Sequence, residues 1–137
     1  MELVAFPSEN AVAAASLITG GVLERHPNLR IAFSRGAGGF ALTLPRLSAG
    51  WAQLGLSHQR TPLEQARTLF YDKPVYDEAT LAHLLATFGA TRLCIGTDHP
   101  FVIQDTKPLQ RLAALRLDEA THALLLSGNA KRFLGEA

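Results

Sequence analysis

Leu93-Cys94-Ile95-Gly96-Thr97-Asp98-His99-Pro100-Phe101 is a short apolar run that ends in glycine, passes through Thr and Asp, and is turned by a proline. An aspartate at the C-terminal mouth of a parallel strand is where α/β barrels keep catalytic carboxylates and metal ligands. Asp98 would serve equally well as a cap for the loop that follows. Local sequence leaves both roles open, and the rest of the chain has to decide between them.

Outward from this stretch, strand-like and helix-like segments alternate. Residues 3–6 are apolar and stopped by Pro7, which suits a strand end; Ser8 then suits a helix cap, and residues 9–25 carry Val12, Ala15, Ile18, Val22 and Leu23 at helical spacing. Residues 29–33 (LRIAF) are expected as a second strand, followed by the flexible loop Ser34-Arg35-Gly36-Ala37-Gly38-Gly39. Phe40, Leu44, Leu47, Trp51 and Leu54 trace a helical stripe with Pro45 as a kink. Thr61-Pro62-Leu63-Glu64 has the parts of a capped helix start, and the helix it opens leads to a third strand at residues 68–71. Asp77 caps a helix bearing Leu81, Leu84, Leu85 and Phe88, which Gly89 ends before the fourth strand at residues 93–95. Helices near residues 108–115 and 119–126, and a short one at 129–134, close the chain. Four strand–helix units predict an α/β fold with parallel strands and right-handed crossovers in a single domain over residues 1–137. Such units make a small open sheet, or half of an eight-stranded barrel.

The 137 residues carry 13 basic and 12 acidic side chains, a formal net charge of +1, with no basic run that would suit nucleic acid. Cys94 is the single cysteine, so no internal disulfide forms and a reducing compartment fits. No stretch has the roughly 18 apolar residues of a membrane span, and the start Met1-Glu2-Leu3-Val4 lacks the features of a signal peptide. A cytoplasmic protein is expected.

The run from Gly20 through Arg30 (GGVLERHPNLR), followed by Phe33-Ser34-Arg35-Gly36-Ala37-Gly38, resembles the metal-dependent amidohydrolase superfamily. The branch containing aminocarboxymuconate-semialdehyde decarboxylase and related aromatic-acid decarboxylases is the most similar. Phe70-Tyr71-Asp72, Gly96-Thr97-Asp98-His99-Pro100-Phe101 and Gly128-Asn129-Ala130 resemble later landmarks of that branch in the same order. Nearly the whole chain takes part, and it resembles only the C-terminal half of a family member. The resemblance implies the C-terminal half of a TIM-type (β/α)8 barrel, a divalent metal (zinc in most members) in the complete fold, and decarboxylation or hydrolysis of a small carboxylated, often aromatic, substrate. It implies that Asp98 is catalytic and binds the metal or its water, and that Arg46 binds the substrate carboxylate across a dimer interface, a role that suits a forked, permanently charged guanidinium. Otherwise Arg46 is a solvated helix-surface charge.

Three departures bear on that chemistry. The family's His-x-His pair and its further metal-binding histidine have no counterpart in this sequence, and Arg35 stands where the catalytic histidine of the glycine-rich loop is expected. Arginine, with a pKa above about 12, is no general base near neutrality. It would instead hold an anionic substrate or occupy the metal position with its own charge, which leaves Arg35 as a catalytic candidate of a different kind. His26, His58, His83 and His122 fall in turns or within helices and suit the surface. His99, beside Asp98, suits a substrate-binding wall position or an additional ligand. Zinc typically needs three protein ligands, so little or no metal is expected for the chain alone.

Two functions follow as expectations. One is an amidohydrolase-family decarboxylase or hydrolase, incomplete here, that needs a complementing N-terminal half. The other is a non-catalytic half-barrel that self-associates, a homodimer covering the edges and apolar side chains that four strands would leave open. A third reading treats Arg35 to Gly39 as a phosphate cradle before a helix, although the loop lacks the P-loop Lys-Ser/Thr ending.

Overall fold

The computed structural model describes residues 2–56 and 60–136. A three-stranded parallel sheet forms its centre, in the order β1 (Ala32–Phe33), β2 (Phe70–Asp72), β3 (Leu93–Cys94). Ala32 pairs with Phe70 and Phe33 with Tyr71 on one side of β2; Tyr71 pairs with Leu93 and Asp72 with Cys94 on the other. Helices α1 (Glu2–Thr19), α2 (Val22–Arg25), α3 (Phe40–Gln53), α4 (Pro62–Ala66), α5 (Glu78–Phe88), α6 (Pro108–Ala114), α7 (Glu119–Ala123) and α8 (Asn129–Leu134) surround it. The parallel α/β class therefore stands, with three strands among the described residues where four were expected.

The missing strand is at residues 3–6, which form the first turns of α1. Those residues do not alternate in period two, and the alanine-rich stretch beyond them extends a helical face backwards: Pro7, Ala11, Ala14 and Ile18 share the inward side. Ser8 is consequently not a cap; its hydroxyl donates to the Val4 carbonyl one turn back. The long helix expected over residues 9–25 also breaks, because Gly21 takes a left-handed conformation (φ 66°) and restarts the chain as α2.

Stacked aromatic rings fix the layers. The Tyr71 ring stacks on Phe88, nearly parallel to it with centroids 3.9 Å apart, Phe88 reaches Phe40, and the Tyr71 hydroxyl donates to the Ala66 carbonyl. On the other side of β2, Phe70 meets Phe133 edge-on and carries the Arg92 guanidinium over its ring. The outer edge of β3 is closed locally: Ile95 donates to the Leu125 carbonyl, and the buried Asn129 amide donates to the carbonyls of Ala90 and Leu93. No strand pairs with the outer side of β1 among the described residues. No helix there is long and apolar enough to cross a membrane.

The glycine-rich loop is held against α1. A Cβ built on Gly38, whose φ is +58°, would lie 2.0 Å from the Pro7 carbonyl oxygen. Gly38→Ala should therefore destabilise the chain by roughly 2–4 kcal/mol, from left-handed strain plus a backbone clash that no rotamer relieves. Urea unfolding should show it as a lowered midpoint with an unchanged slope.

Candidate active site

Parallel pairing sends all three strand ends to one rim. β1 runs into the tight turn Ser34–Ala37, β2 ends on Asp72, and β3 continues through Ile95, Gly96 and Thr97 to Asp98. Arg35 has left-handed backbone (φ 54°, ψ 39°), as do Gly36 and Ala37 after it. That conformation costs a non-glycine residue roughly 1 kcal/mol, and two contacts offset it. The Arg35 amide donates a short hydrogen bond to the Asp72 carboxylate, and Gly36 packs so closely on Leu84 that a Cβ would overlap it.

The same turn aims the Arg35 guanidinium at Asp98, which also has left-handed backbone (φ 60°). Arg35 Nη2 donates to both carboxylate oxygens, at 3.1 Å to Oδ1 and 2.8 Å to Oδ2, and the side chains are only 19% and 9% exposed. No hydrogen bond uses Arg35 Nε or Nη1 among the described residues.

Asp72 sits behind this pair. Burial pushes its carboxyl up to about 6; the Arg35 amide, the Ser34 side chain and the Arg35 charge oppose the shift, while the Asp98 charge adds to it. The neighbouring Cys94 thiol is also pushed up, by burial and then by Asp72.

A second ionic cluster holds the loop that carries Asp98. Asp105, 3% exposed, donates its amide to the Thr97 carbonyl and takes the Arg111 guanidinium as a fork, Nε to Oδ2 at 3.2 Å and Nη2 to Oδ1 at 3.1 Å. Burial alone would raise the Asp105 carboxyl, but the Arg111 hydrogen bonds, the Lys107 amide and the Arg111 and Lys73 charges hold it below the usual range. Arg111 Nη1 donates to the Tyr76 carbonyl, and the buried Lys73 ammonium donates to the Pro108 carbonyl at 2.7 Å. The segment after β2 and the segment after β3 are thereby tied together.

Between α1 and the loop after Asp98 lies a cavity of about 520 Å³. Its apolar wall is Leu3, Phe6, Phe101, Val102 and Ile103; its polar wall is Glu2, Ser34, Arg35 and Asp98. Arg35 and Asp98 thus meet, as an ion pair on the cavity wall. Arg46 does not join them: it is exposed on α3 and lines a separate depression with Thr43, Trp51 and Leu54. His99 is exposed beside Gln104 (3.3 Å) and is not among the cavity-lining residues. His26 and His83 are exposed, His122 is half-buried in α7, and His58 lies outside the described residues. The loop is no phosphate cradle, because Leu84 fills the space in front of Gly36 and the Pro7 carbonyl oxygen faces Gly38.

The donor set does not fit a divalent ion. The Arg35 guanidinium engages both oxygens of Asp98, an oxygen of Asp72 is engaged by the Arg35 amide, and no group of three His, Cys, Asp or Glu side chains converges among the described residues.

Sequence reasoning found Arg35 and Asp98 but assigned no role to Asp72, Lys73, Asp105 or Arg111. For Asp72 a signal existed, since a carboxylate closing an apolar strand belongs on the same rim as Asp98.

Comparison with known proteins agrees with the family resemblance. The amidohydrolase family model matches residues 4–135. The chain is 34% identical to the 2-amino-3-carboxymuconate-6-semialdehyde decarboxylase of Dictyostelium discoideum, over 97% of this chain and 38% of that protein. The Metarhizium anisopliae IDCase in apo form superposes with a TM-score of 0.81 at 22% identity, over 95% of this chain and 40% of that one. A dihydroxybenzoic acid decarboxylase from Polaromonas sp. JS666, with bound manganese, superposes with a TM-score of 0.77 at 19% identity, over 91% of this chain and 39% of that one. A divalent metal therefore occurs among proteins of this fold, and the chain spans about two-fifths of the length of each of these relatives.

The raised Asp72 carboxyl sets a pH dependence. Its folded value of about 6 lies above the ordinary 3.8, so the folded state binds the extra proton between them. Stability then falls as pH rises through that window and levels off above it. Asp72→Asn, which keeps an acceptor for the Arg35 amide, should flatten this fall and stabilise the chain near pH 7.5 by on the order of 1–2 kcal/mol. Denaturant melts of both proteins across the range will show it.

Proposed function

The chain belongs to the amidohydrolase family, and from that premise we propose that it carries one side of the site of a cytoplasmic carbon–carbon lyase that removes CO2 from a small carboxylated aromatic substrate. The observation behind this proposal is the Arg35–Asp98 pair on the wall of a cavity whose opposite wall is apolar. A planar aromatic acid suits both halves. Its carboxylate would meet the Arg35 donors that Asp98 does not use, and its ring would lie against Phe6, Phe101 and Ile103. Breaking the ring–carboxylate bond leaves an electron pair on the ring carbon, which must take up one proton as CO2 departs. Asp98 is the rim carboxylate placed to relay that proton, and Arg35, which keeps its charge throughout, binds and orients.

The remaining barrel strands would come from a complementing N-terminal half. Arg46, exposed on α3, would reach a carboxylate only across an interface with a second copy. In the reassembled protein, Asp98→Asn should lower kcat by on the order of 10²–10⁴, while Arg35→Lys should chiefly raise KM. CO2 release from dihydroxybenzoates measures this, with the open-chain 2-amino-3-carboxymuconate semialdehyde as the non-aromatic comparison. Absence of release from every carboxylate tested would end the proposal.

The exposed side chains favour a second reading, a half-barrel that self-associates without catalysis. Leu3, Phe6, Phe101 and Val102 stand exposed around one rim, Val102 completely so. This reading predicts a homodimer in sedimentation velocity at micromolar concentration, converted to monomer by Val102→Glu. A monomeric wild type would remove it.

A further inference from the structure

We infer that the resident cation of Asp98 in this chain is the Arg35 guanidinium, so that the rim is closed to a divalent metal ion. The inference goes beyond the lyase proposal and does not depend on it. Four observations carry it. Nη2 spans both carboxylate oxygens, leaving neither Asp98 oxygen without a cationic partner. Both residues have left-handed backbone just beyond the ends of β1 and β3, so the pairing is set by the main chain rather than by a wandering surface side chain. The Arg35 amide is anchored on Asp72, which fixes where the side chain starts. The Asp98 loop is fixed independently by the Asp105–Arg111 fork and the Asp105 amide.

A metal ion would therefore have to displace an intramolecular cation at high effective concentration from a largely buried carboxylate, then recruit further ligands. Asp72, the carboxylate that the Asp98 charge acts on, is already a hydrogen-bond acceptor for the arginine's own backbone, which leaves Glu2 as the one other carboxylate among the residues lining the cavity. Displacement would also strand a half-buried guanidinium beside the incoming positive charge. Sodium-like screening by bulk salt is too weak to substitute, so the pair persists at physiological ionic strength.

Amide NMR of the full chain during titration with Mn2+ tests this directly, because a paramagnetic ion broadens the signals nearest to it. Selective broadening at residues 34–36 and 97–99 should be absent, and Zn2+ should not be retained in stoichiometric amount after desalting. The Arg35 Nη2 protons, held on both Asp98 oxygens, should give resolved, slowly exchanging signals that are unchanged by EDTA and lost in Asp98→Asn. Selective broadening at those residues, stoichiometric zinc that Asp98→Asn releases, or Nη2 signals insensitive to Asp98→Asn would each overturn the inference. None of these readouts uses activity, so failure of the lyase proposal leaves them intact.

Discussion

The Arg35–Asp98 ion pair joins two residues 63 positions apart in the chain, each just beyond the end of a different strand. Everything at the rim is arranged around it. β1 and β3 are not neighbours; β2 lies between them, and its last residue, Asp72, receives the Arg35 amide. Three strand ends are thus linked through one arginine, by its backbone to the middle strand and by its side chain to the far one. The parallel register makes this possible, because it delivers every C-terminal strand end to the same side.

Strands of two and three residues supply little pairing energy of their own, so helices must hold the sheet in place. The stack of Tyr71 on Phe88, with Phe40 beyond, pins α3 and α5 to β2. From the N-terminal side, the Pro7 carbonyl of α1 lies where a Gly38 side chain would project, so the loop carrying Arg35 is wedged between helix and sheet. A left-handed arginine survives there because its surroundings over-determine it.

Local chemistry made much of the frame legible. Thr61 and Glu64 form the expected capping box, Asp77 caps α5 through Thr80, and Gly89 ends that helix with φ 88°. Residues 3–6 misled because four apolar residues before a proline suit a strand or a helix, and length decides only when the alanine-rich continuation is included. The candidate site was half legible. Asp98 and Arg35 stood out by type and position, whereas the bond between them, the Asp72 anchor 37 residues from Arg35 and the Asp105–Arg111 fork belong to tertiary geometry. No periodicity records which carboxylate a guanidinium will face.

Charge balance at the rim connects these pieces. With Asp72 protonated, the guanidinium and the Asp98 carboxylate cancel; with Asp72 ionised, the trio carries one net negative charge. An anion approaching Arg35 therefore meets a neutral pair on one side of the Asp72 titration and a repulsive excess on the other, in surroundings where screening is weak. Since Asp72 also bonds the amide that positions Arg35, one carboxyl influences both where the guanidinium points and how freely it receives an anion. Asp105 does not share that sensitivity, because its fork to Arg111 holds its carboxyl below the usual range, and it is Asp105 whose amide bonds the Thr97 carbonyl just before Asp98.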